Sequence, residues 1–324
     1  MNIVIYGAGA IGSHLAYCLY KSGHKVFLIA RGNHYKKIKK NGLKININNN
    51  SKLLSKNILK EDNNFIIFNT IKFLKKINIE CIFITIKLKD YNTLLINKII
   101  PYLNYNTAVI PPCTHLPLWW MKSFKKKNIK INNKNYFNNN NIIGMTMWVS
   151  VVLEKPGFVK VRHIQRGYPL KAIHSKMNYK AKILRKSFNK YSKSPIIKNV
   201  YSEIFMKSLN ALAFNLVALH FEFNNKKLKE NPLSMKALKI VMNEGEEIAK
   251  KLNIKLEQNS KQRIDQTLSS SVHTMSMLND FKKNKKIELK YLWSSFKMIC
   301  ENLNIKMQYT DFLVKKVLKK INQQ

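Results

Sequence analysis

The first half of the chain alternates short apolar runs with segments in which apolar residues recur at helical spacing. The apolar runs cover residues 3–6, 26–30, 65–68, 81–86 and 108–110. Strands that are buried on both faces read as continuous apolar runs, and the segment 91–103 has a helical pattern. We therefore predict a parallel sheet with crossover helices. Two further runs, 145–153 and 157–161, flank the turn sequence Glu154-Lys155-Pro156-Gly157 and predict a hairpin that extends this sheet.

The period of the pattern changes after about residue 197. Apolar residues then recur at three- and four-residue spacing over residues 200–223, 234–252, 259–271, 289–303 and 310–321. This spacing predicts helices with one apolar face each. The predicted organisation is an α/β domain over residues 1–196 followed by an all-α domain over residues 197–324. A cleft between two such domains is a natural substrate site, and the Asn-rich segments 46–64 and 125–141 are predicted as expanded loops.

The composition of the chain limits the classes of partner that we expect. The 324 residues are enough for two domains with a substantial core, and the formal net charge of +41 raises nucleic acid or an anionic membrane as a partner. The lysines, however, are spread along the whole chain among many Ile and Asn residues, with no clustered arginine and no recognisable nucleic-acid module. We therefore expect no specific nucleic-acid partner. The apolar stretches are also too short for a membrane span.

The cysteines and histidines do not follow a metal or disulfide pattern. Cysteines stand at positions 18, 81, 113 and 300, far apart and without Cys-x-x-Cys or His-paired spacing. The N-terminal strand sequence lacks a basic region and is followed by glycines, which is not typical of a signal peptide. We expect reduced thiols, no metal site and a cytoplasmic location.

A glycine motif follows the first predicted strand. Gly7-Ala8-Gly9-Ala10-Ile11-Gly12 has the spacing G-x-G-x-x-G and leads into a helical segment. In such a motif the first glycine permits a tight turn, the second lets the backbone approach a pyrophosphate, and the third allows close packing of helix and strand. The alternative is a small-residue turn without a ligand. The strand before and the helix after it favour a Rossmann-like dinucleotide-binding domain.

The residue after the second predicted strand bears on the choice of cofactor. NAD sites usually carry an acidic residue there, which binds the ribose 2′-hydroxyl, whereas this chain has Arg31. A guanidinium can pair with a 2′-phosphate, so NADPH is favoured over NADH. A solvated surface charge is the alternative interpretation. Arginine is nevertheless scarce in a chain that uses lysine almost everywhere, which favours a need for the planar guanidinium.

Three later segments, taken with the glycine motif, resemble the ketopantoate reductase (2-dehydropantoate 2-reductase) family over nearly the whole chain. They are Ile84-Thr85-Ile86-Lys87, the run from Met206 to Asn215, and the run from His273 to Phe281 with the following Lys286-Ile287-Glu288. The resemblance implies a Rossmann-like domain that binds NADPH, followed by an all-helical domain that binds a 2-oxo acid. It makes Lys87 the lysine near the cofactor, although Lys89 is an alternative.

The same resemblance implies roles for residues of the helical domain. Lys207 becomes the general acid, and Glu288 orients it and contacts the substrate. Asn215 and Ser276 hold the substrate, which agrees with the need for a cation and positioned donors where negative charge develops on oxygen. Each of these assignments has an alternative without a catalytic or binding role. Lys207 would then be an ordinary lysine, Glu288 a carboxylate at a helix start, and Ser276 a polar residue of a helix or loop.

The chain departs from the family pattern at several positions. Thr114 or Cys113 stands where the family has an asparagine, Ala211 replaces another asparagine, and the nearest amide, Asn210, is displaced by about 100° around the helix. We therefore predict NADPH-dependent reduction of ketopantoate to pantoate, with Thr114 and Asn210 as further substrate-binding residues. Reduction of another branched 2-oxo acid and a nucleotide-binding regulator without turnover are the alternatives. A homodimer is a possible assembly.

Overall fold

The computed structural model describes residues 1–47, 57–111, 114–124, 137–269 and 274–323. The chain separates into two compact units. The first comprises Met1–Cys113 and Lys134–Val200, and the second comprises Thr114–Asn133 and Tyr201–Gln324. The boundary near residue 200 lies a few residues after the one given above, and residues 114–133 group with the second unit instead of the first.

The first unit contains the strands. Their bounds are Asn2–Tyr6 (β1), Lys25–Ile29 (β2), Leu43–Ile47 (β3), Ile58–Leu59 (β4), Phe65–Phe68 (β5), Cys81–Ile84 (β6), Ala108–Ile110 (β7), Ile143–Met145 (β8), Trp148–Lys155 (β9), Phe158–Gly167 (β10) and Leu170–Ala172 (β11). Among the described residues, β5, β2, β1, β6 and β7 form a parallel sheet in that order. This confirms the predicted parallel sheet, because its strands are the apolar runs of the sequence.

Helices of the first unit follow several of these strands. Their bounds are Ala10–Lys21 (α1), Gly32–Asn41 (α2), Thr93–Ile99 (α3) and, after β11, Asn178–Tyr191 (α5); Leu118–Lys122 (α4) belongs to the second unit. The strand order reverses direction at β1, which has β2 on one side and β6 on the other. Ligands of open parallel sheets bind at the carboxyl ends of the strands at such a point. A ligand is therefore expected to bind at the carboxyl end of β1.

The predicted hairpin forms, but it does not extend the parallel sheet, so that part of the prediction is wrong. Strands β9 and β10 pair antiparallel, and the other edge of β10 pairs in parallel with β3. In the described part of the chain these strands and β4 make a separate sheet in the order β4, β3, β10, β9. The apolar run that leads into the hairpin is also divided, because β8 pairs with β11. Long-range pairing of β10 with β3 is not visible in a local apolar pattern.

The Asn-rich segments are only partly loops. The end of β3 and all of β4 lie within residues 46–64, so the prediction of an expanded loop over that whole range is wrong. In the second segment, Asn139–Asn141 forms a short 3-10 turn capped by the side chain of Asn138. Residues 48–56 and 125–136 of these segments lie outside the described residues.

The second unit is helical, as predicted. Besides α4, its helices are Val200–Phe221 (α6), Asn225–Glu230 (α7), Pro232–Lys251 (α8), Ser260–Leu268 (α9), Ser276–Phe281 (α10), Leu289–Leu303 (α11) and Gln308–Asn322 (α12). The predicted helical segments coincide with α6, α8, α9, α11 and α12 to within a few residues. Helix α6 carries the core of the unit, because Leu209, Leu212, Phe214 and Leu216 on it are completely buried.

Helix α6 is also long and apolar enough to cross a membrane by length and composition, among the residues that the structure describes. Of its most apolar stretch, 78% is buried inside the fold. The apolar character of α6 is thus accounted for by its packing in the second unit.

Candidate active site

The glycine motif forms a tight turn between β1 and α1. Gly7 has a φ of +117°, in the left-handed region that glycine favours, and a Cβ there would meet the Thr85 backbone at 3.0 Å. A Cβ on Gly12 would lie 1.9 Å from the carbonyl oxygen of Gly7. The first and third glycines are therefore required by the close approach of the chain to itself.

Gly9 differs from the other two glycines, because a Cβ on it would meet no atom within 4 Å. Gly9 is exposed and is the N-cap of α1, with no side chain bonded to the cap position and no acidic residue in the first turn. Ala10 and Ile11 begin the helix, and the buried Ala8 accepts a hydrogen bond from the hydroxyl of Ser13 on its carbonyl oxygen. The N-terminus of α1 therefore offers backbone N–H groups beside open space, which fits a pyrophosphate.

Thr85 holds this turn from the neighbouring strand. It follows β6, which pairs with β1, and its hydroxyl donates to the carbonyl oxygen of Gly7 over 2.6 Å. The same hydroxyl would collide with a side chain on Gly12, since a Cβ there lies 2.5 Å from it. In the sequence, Thr85 stands out only as part of the motif Ile84-Thr85-Ile86-Lys87. A polar residue directly after a buried strand was the signal that could have singled it out.

Arg31 and Lys87 lie at the same edge of the sheet as the glycine turn. Arg31 follows β2 as the exposed N-cap of α2, and the exposed Lys87 follows β6. Both strands pair in parallel with β1, so their carboxyl ends meet where the glycine turn begins. The side chain of Lys89 lies outside the described residues, which leaves the choice between the two lysines as a prediction.

Lys207 lies in the middle of α6 and is half-buried. Burial lowers the pKa of its ammonium from the usual 10.5 to about 8, and the positive charge of Arg263 lowers it in the same sense. The Glu203 carboxylate opposes both effects. A lysine with a pKa near 8 can donate a proton and be reprotonated at neutral pH, as a general acid must.

Glu203 is a further ionisable residue beside Lys207 that sequence reasoning missed. It is buried to 6% exposure and lies one turn before Lys207 on α6, the spacing and order that favour a carboxylate and lysine pair on a helix. Buried carboxylates are rare unless they interact with a positive group. An acidic residue within a largely apolar helical segment was the signal that could have revealed it.

Asn210 lies about one turn after Lys207 and is fixed by residues of α9. Its Oδ1 accepts from the Arg263 guanidinium over 3.2 Å and from the Thr267 hydroxyl over 2.9 Å. Arg263 itself is 1% exposed and also donates to the side-chain oxygens of Gln258 and Gln266. The structure therefore brings Lys207, Glu203, Asn210 and Arg263 into one polar cluster within an apolar helical unit.

Asn215 connects α6 to the start of α10. Its Oδ1 accepts from the backbone N–H of Met277 over 3.1 Å, and its NH₂ group donates to the carbonyl oxygen of Ala211. Ser276 is the exposed first residue of α10. Because Met275 provides no side-chain cap, Asn215 serves as a remote cap that orients α10 and with it Ser276.

The remaining predicted residues lie at helix starts or in loops of the second unit. Glu288 is half-buried and is the N-cap residue of α11, whereas Thr114 is exposed in the segment before α4. Cys113 and His273, which belong to the motifs quoted above, lie outside the described residues.

The sequences of both units match one protein family. The two parts of the chain match the sequence models of one family: ketopantoate reductase PanE/ApbA over residues 3–112, and its C-terminal domain over residues 199–320. The chain belongs to the ketopantoate reductase family. It is accordingly an NADP-dependent oxidoreductase that acts on a CH–OH group, and the predictions of family, fold class and enzyme class are confirmed.

The individual relatives share only a modest sequence identity with this chain. A 2-dehydropantoate 2-reductase of Pyrococcus horikoshii is 26% identical over 90% of this chain and 88% of its own length. The ternary structure of D-mandelate dehydrogenase with NADH and anilino(oxo)acetate has a TM-score of 0.79 at 20% identity, covering 100% of this chain and 99% of that one. A putative 2-dehydropantoate 2-reductase from Enterococcus faecalis gives 0.67 at 23%, with the same coverage. These structures share the fold of this member of the ketopantoate reductase family.

Proposed function

We propose that the chain catalyses the NADPH-dependent reduction of 2-dehydropantoate to pantoate. The observation that carries this proposal is Lys207, a half-buried lysine of α6 whose pKa is lowered to about 8 beside an acidic and an amide side chain. The 26% identical 2-dehydropantoate 2-reductase supports the choice of substrate.

The residues of the second unit supply the acid and the positioning for this reaction. When bound, NADPH would supply the hydride that reduces the keto carbon of the substrate. Lys207 donates a proton to the keto oxygen, on which negative charge develops, and its lowered pKa lets it recover that proton from water near neutral pH. Glu203 keeps part of the ammonium form in place, because its carboxylate favours the charged lysine.

The substrate-binding roles follow the placement of the polar residues. Asn210 offers its amide one turn from Lys207, and Asn215 orients the first turn of α10, where Ser276 lies. Glu288 and Thr114 are assigned to the substrate on the family pattern. These residues hold the 2-oxo acid in place, which contributes rate through orientation and not through proton transfer.

The residues of the first unit bind the cofactor. The open surface at Gly9 and the N-terminus of α1 receive the pyrophosphate, while Gly7 and Gly12 shape the turn. Arg31 pairs with the 2′-phosphate at the end of β2, which favours NADPH over NADH. Lys87 lies at the end of β6 at the same sheet edge and adds positive charge.

A second candidate is the reduction of another branched 2-oxo acid. Ala211 and Thr114 change the amide pattern of the family, and the D-mandelate dehydrogenase of similar fold was solved with anilino(oxo)acetate. A nucleotide-binding regulator without turnover is disfavoured by the presence of Lys207 and Glu288. The proposal includes a cytoplasmic location, with a homodimer as the assembly to be tested.

The test is the initial rate of nicotinamide oxidation by the purified protein, with ketopantoate and with other branched 2-oxo acids. NADPH and NADH are compared at equal concentration and moderate salt, with Lys207→Met as the matched variant. Turnover of ketopantoate with NADPH that is lost in Lys207→Met supports the proposal. Turnover of another 2-oxo acid alone supports the second candidate, and NADPH binding without any turnover contradicts both.

A further inference from the structure

Arg263 is the most completely buried charged side chain near Lys207. It is 1% exposed, although arginine is seldom fully buried because its charge is costly to remove from water. It lies near enough to the Lys207 ammonium to repel it. Holding two positive charges close together in a helical core costs free energy, and the nearby Glu203 carboxylate opposes that cost.

The contacts of Arg263 point to Asn210. One Nη2 hydrogen bond goes to Oδ1 of Asn210, and the hydroxyl of Thr267, one turn further along α9, donates to the same oxygen. Because a guanidinium carries donors only, the Asn210 atom that faces it must be the oxygen. The orientation of this side-chain amide is therefore dictated by Arg263 and reinforced by Thr267.

Because Oδ1 of Asn210 is held by Arg263 and Thr267, the NH₂ group is the part of this side chain that can donate to a ligand. Asn210 is 7% exposed, and among the described residues no acceptor is bonded to this NH₂ group. It lies about 60° around α6 from Lys207 and one turn along it, so the two donors share one face of the helix. Two adjacent donors on one face match a keto group and the carboxylate beside it.

We propose that Arg263 is a positioning residue for the reduction, which turns the Asn210 side chain so that its NH₂ group donates to the carboxylate of the 2-oxo acid bound at Lys207. Because this role rests on the function proposed above, it applies to any 2-oxo acid that places its keto oxygen at Lys207. The positive charge of Arg263 also favours proton release from Lys207, by repulsion of the ammonium.

The decisive variant is Asn210→Asp. It keeps an oxygen for Arg263 and Thr267 but removes the NH₂ donor and places a negative charge against the substrate carboxylate. We expect the KM for the 2-oxo acid to rise by about tenfold or more, since a hydrogen bond to a charged group is worth about 1.5–3 kcal/mol. The Tm should not fall, because the new carboxylate pairs with Arg263. An unchanged KM in folded Asn210→Asp overturns the proposal.

The second arm tests whether Arg263 acts through Asn210. Arg263→Met is compared with Asn210→Ala and with the double variant, and KM is measured for each. Positioning through Asn210 predicts that Arg263→Met raises KM in the wild-type background but adds little to Asn210→Ala. Effects on KM that multiply in the double variant contradict the proposal. A purely structural Arg263 lowers Tm and the yield of active enzyme but leaves KM unchanged.

A third variant covers the case in which Arg263→Met does not fold. Thr267→Val removes the other donor to Asn210 with little change in volume, and the expected rise in KM is about two- to fivefold. Thr107→Val is the matched control, because the Thr107 hydroxyl is completely buried and donates to the carbonyl oxygen of Ile79 in the first unit. Equal KM values in these two variants contradict the role of the amide.

The failure of this inference is distinguishable from failure of the proposed function. If wild-type protein turns over no 2-oxo acid, or if Lys207→Met is as active as wild type, the proposed function is wrong. If wild type turns over and Lys207→Met does not, while Asn210→Asp retains the wild-type KM, only the role of Asn210 and Arg263 is wrong.

Discussion

The hydroxyl of Thr85 donates a hydrogen bond to the carbonyl oxygen of Gly7 over 2.6 Å. This bond joins the end of β6 to the turn after β1, across neighbouring strands of the parallel sheet. Gly7 has a positive φ, so its carbonyl is directed by a backbone conformation that few residues adopt. A single side chain thus fixes the shape of the glycine turn from outside it.

Removal of this hydroxyl should weaken cofactor binding more than it weakens the fold. Thr85→Val keeps the volume but leaves the Gly7 carbonyl without this donor, and we expect NADPH affinity to fall by about three- to tenfold. Thr85→Ser retains the hydroxyl and should restore most of the affinity. Fluorescence titration with NADPH measures both, with Thr107→Val as the control for loss of a buried hydroxyl. Equal dissociation constants for Thr85→Val and Thr107→Val would show that the bond has no part in binding.

The second and third glycines of the turn should respond differently to alanine. A Cβ on Gly9 meets no protein atom, so Gly9→Ala should keep the wild-type Tm and lose NADPH affinity by about tenfold or more, because the methyl group occupies the space of the pyrophosphate. A Cβ on Gly12 collides with the Gly7 carbonyl at 1.9 Å, so Gly12→Ala should lower the Tm by several degrees. Thermal unfolding without ligand separates the two. A destabilised Gly9→Ala would contradict this division of roles.

The lowered pKa of Lys207 sets the expected pH dependence. Reduction needs the protonated lysine, so its kcat/KM should be constant below about pH 8 and fall above it, whereas the reverse oxidation needs the neutral amine and should rise over the same range. Glu203 raises the pKa of Lys207 and Arg263 lowers it. In Glu203→Gln the pH at which kcat/KM for reduction begins to fall should therefore be lower, and in Arg263→Met it should be higher. pH–rate profiles in both directions measure this. Shifts of both variants in one direction would contradict the assignment of charges around Lys207.

The same pKa carries a consequence for stability. The folded-state pKa of Lys207 is lower than its usual value, so the unfolded chain binds more protons between about pH 8 and 10.5. The unfavourable contribution of Lys207 to stability is therefore fully present below about pH 8 and is relieved as the pH rises towards 10.5. Lys207→Met should remove this dependence. Urea unfolding at pH 7 and pH 9.5 tests it, and an identical change with pH in both proteins would contradict it.

The sequence predicted those parts of the fold that depend on local pattern. The apolar runs became the parallel sheet, and the helical spacing after residue 200 became α6, α8, α9, α11 and α12. The pairing of β10 with β3 was missed, because it joins segments far apart in the chain and nothing in either segment specifies the partner. The same holds for Arg263 and Asn210, whose contact is created by the packing of α9 on α6.

Arg31 should determine the preference of the enzyme for NADPH over NADH. It is the exposed N-cap of α2, two residues after the end of β2, where a guanidinium can form paired hydrogen bonds with a 2′-phosphate. Arg31→Gln removes the charge and the paired geometry, and we expect the KM for NADPH to rise by about 10- to 100-fold while the KM for NADH changes little. Arg162→Gln, at another exposed arginine of the first unit, is the matched control and should leave both constants unchanged. An equal loss for both cofactors in Arg31→Gln would mean that Arg31 contacts a group common to both, such as the pyrophosphate or the adenine, instead of the 2′-phosphate.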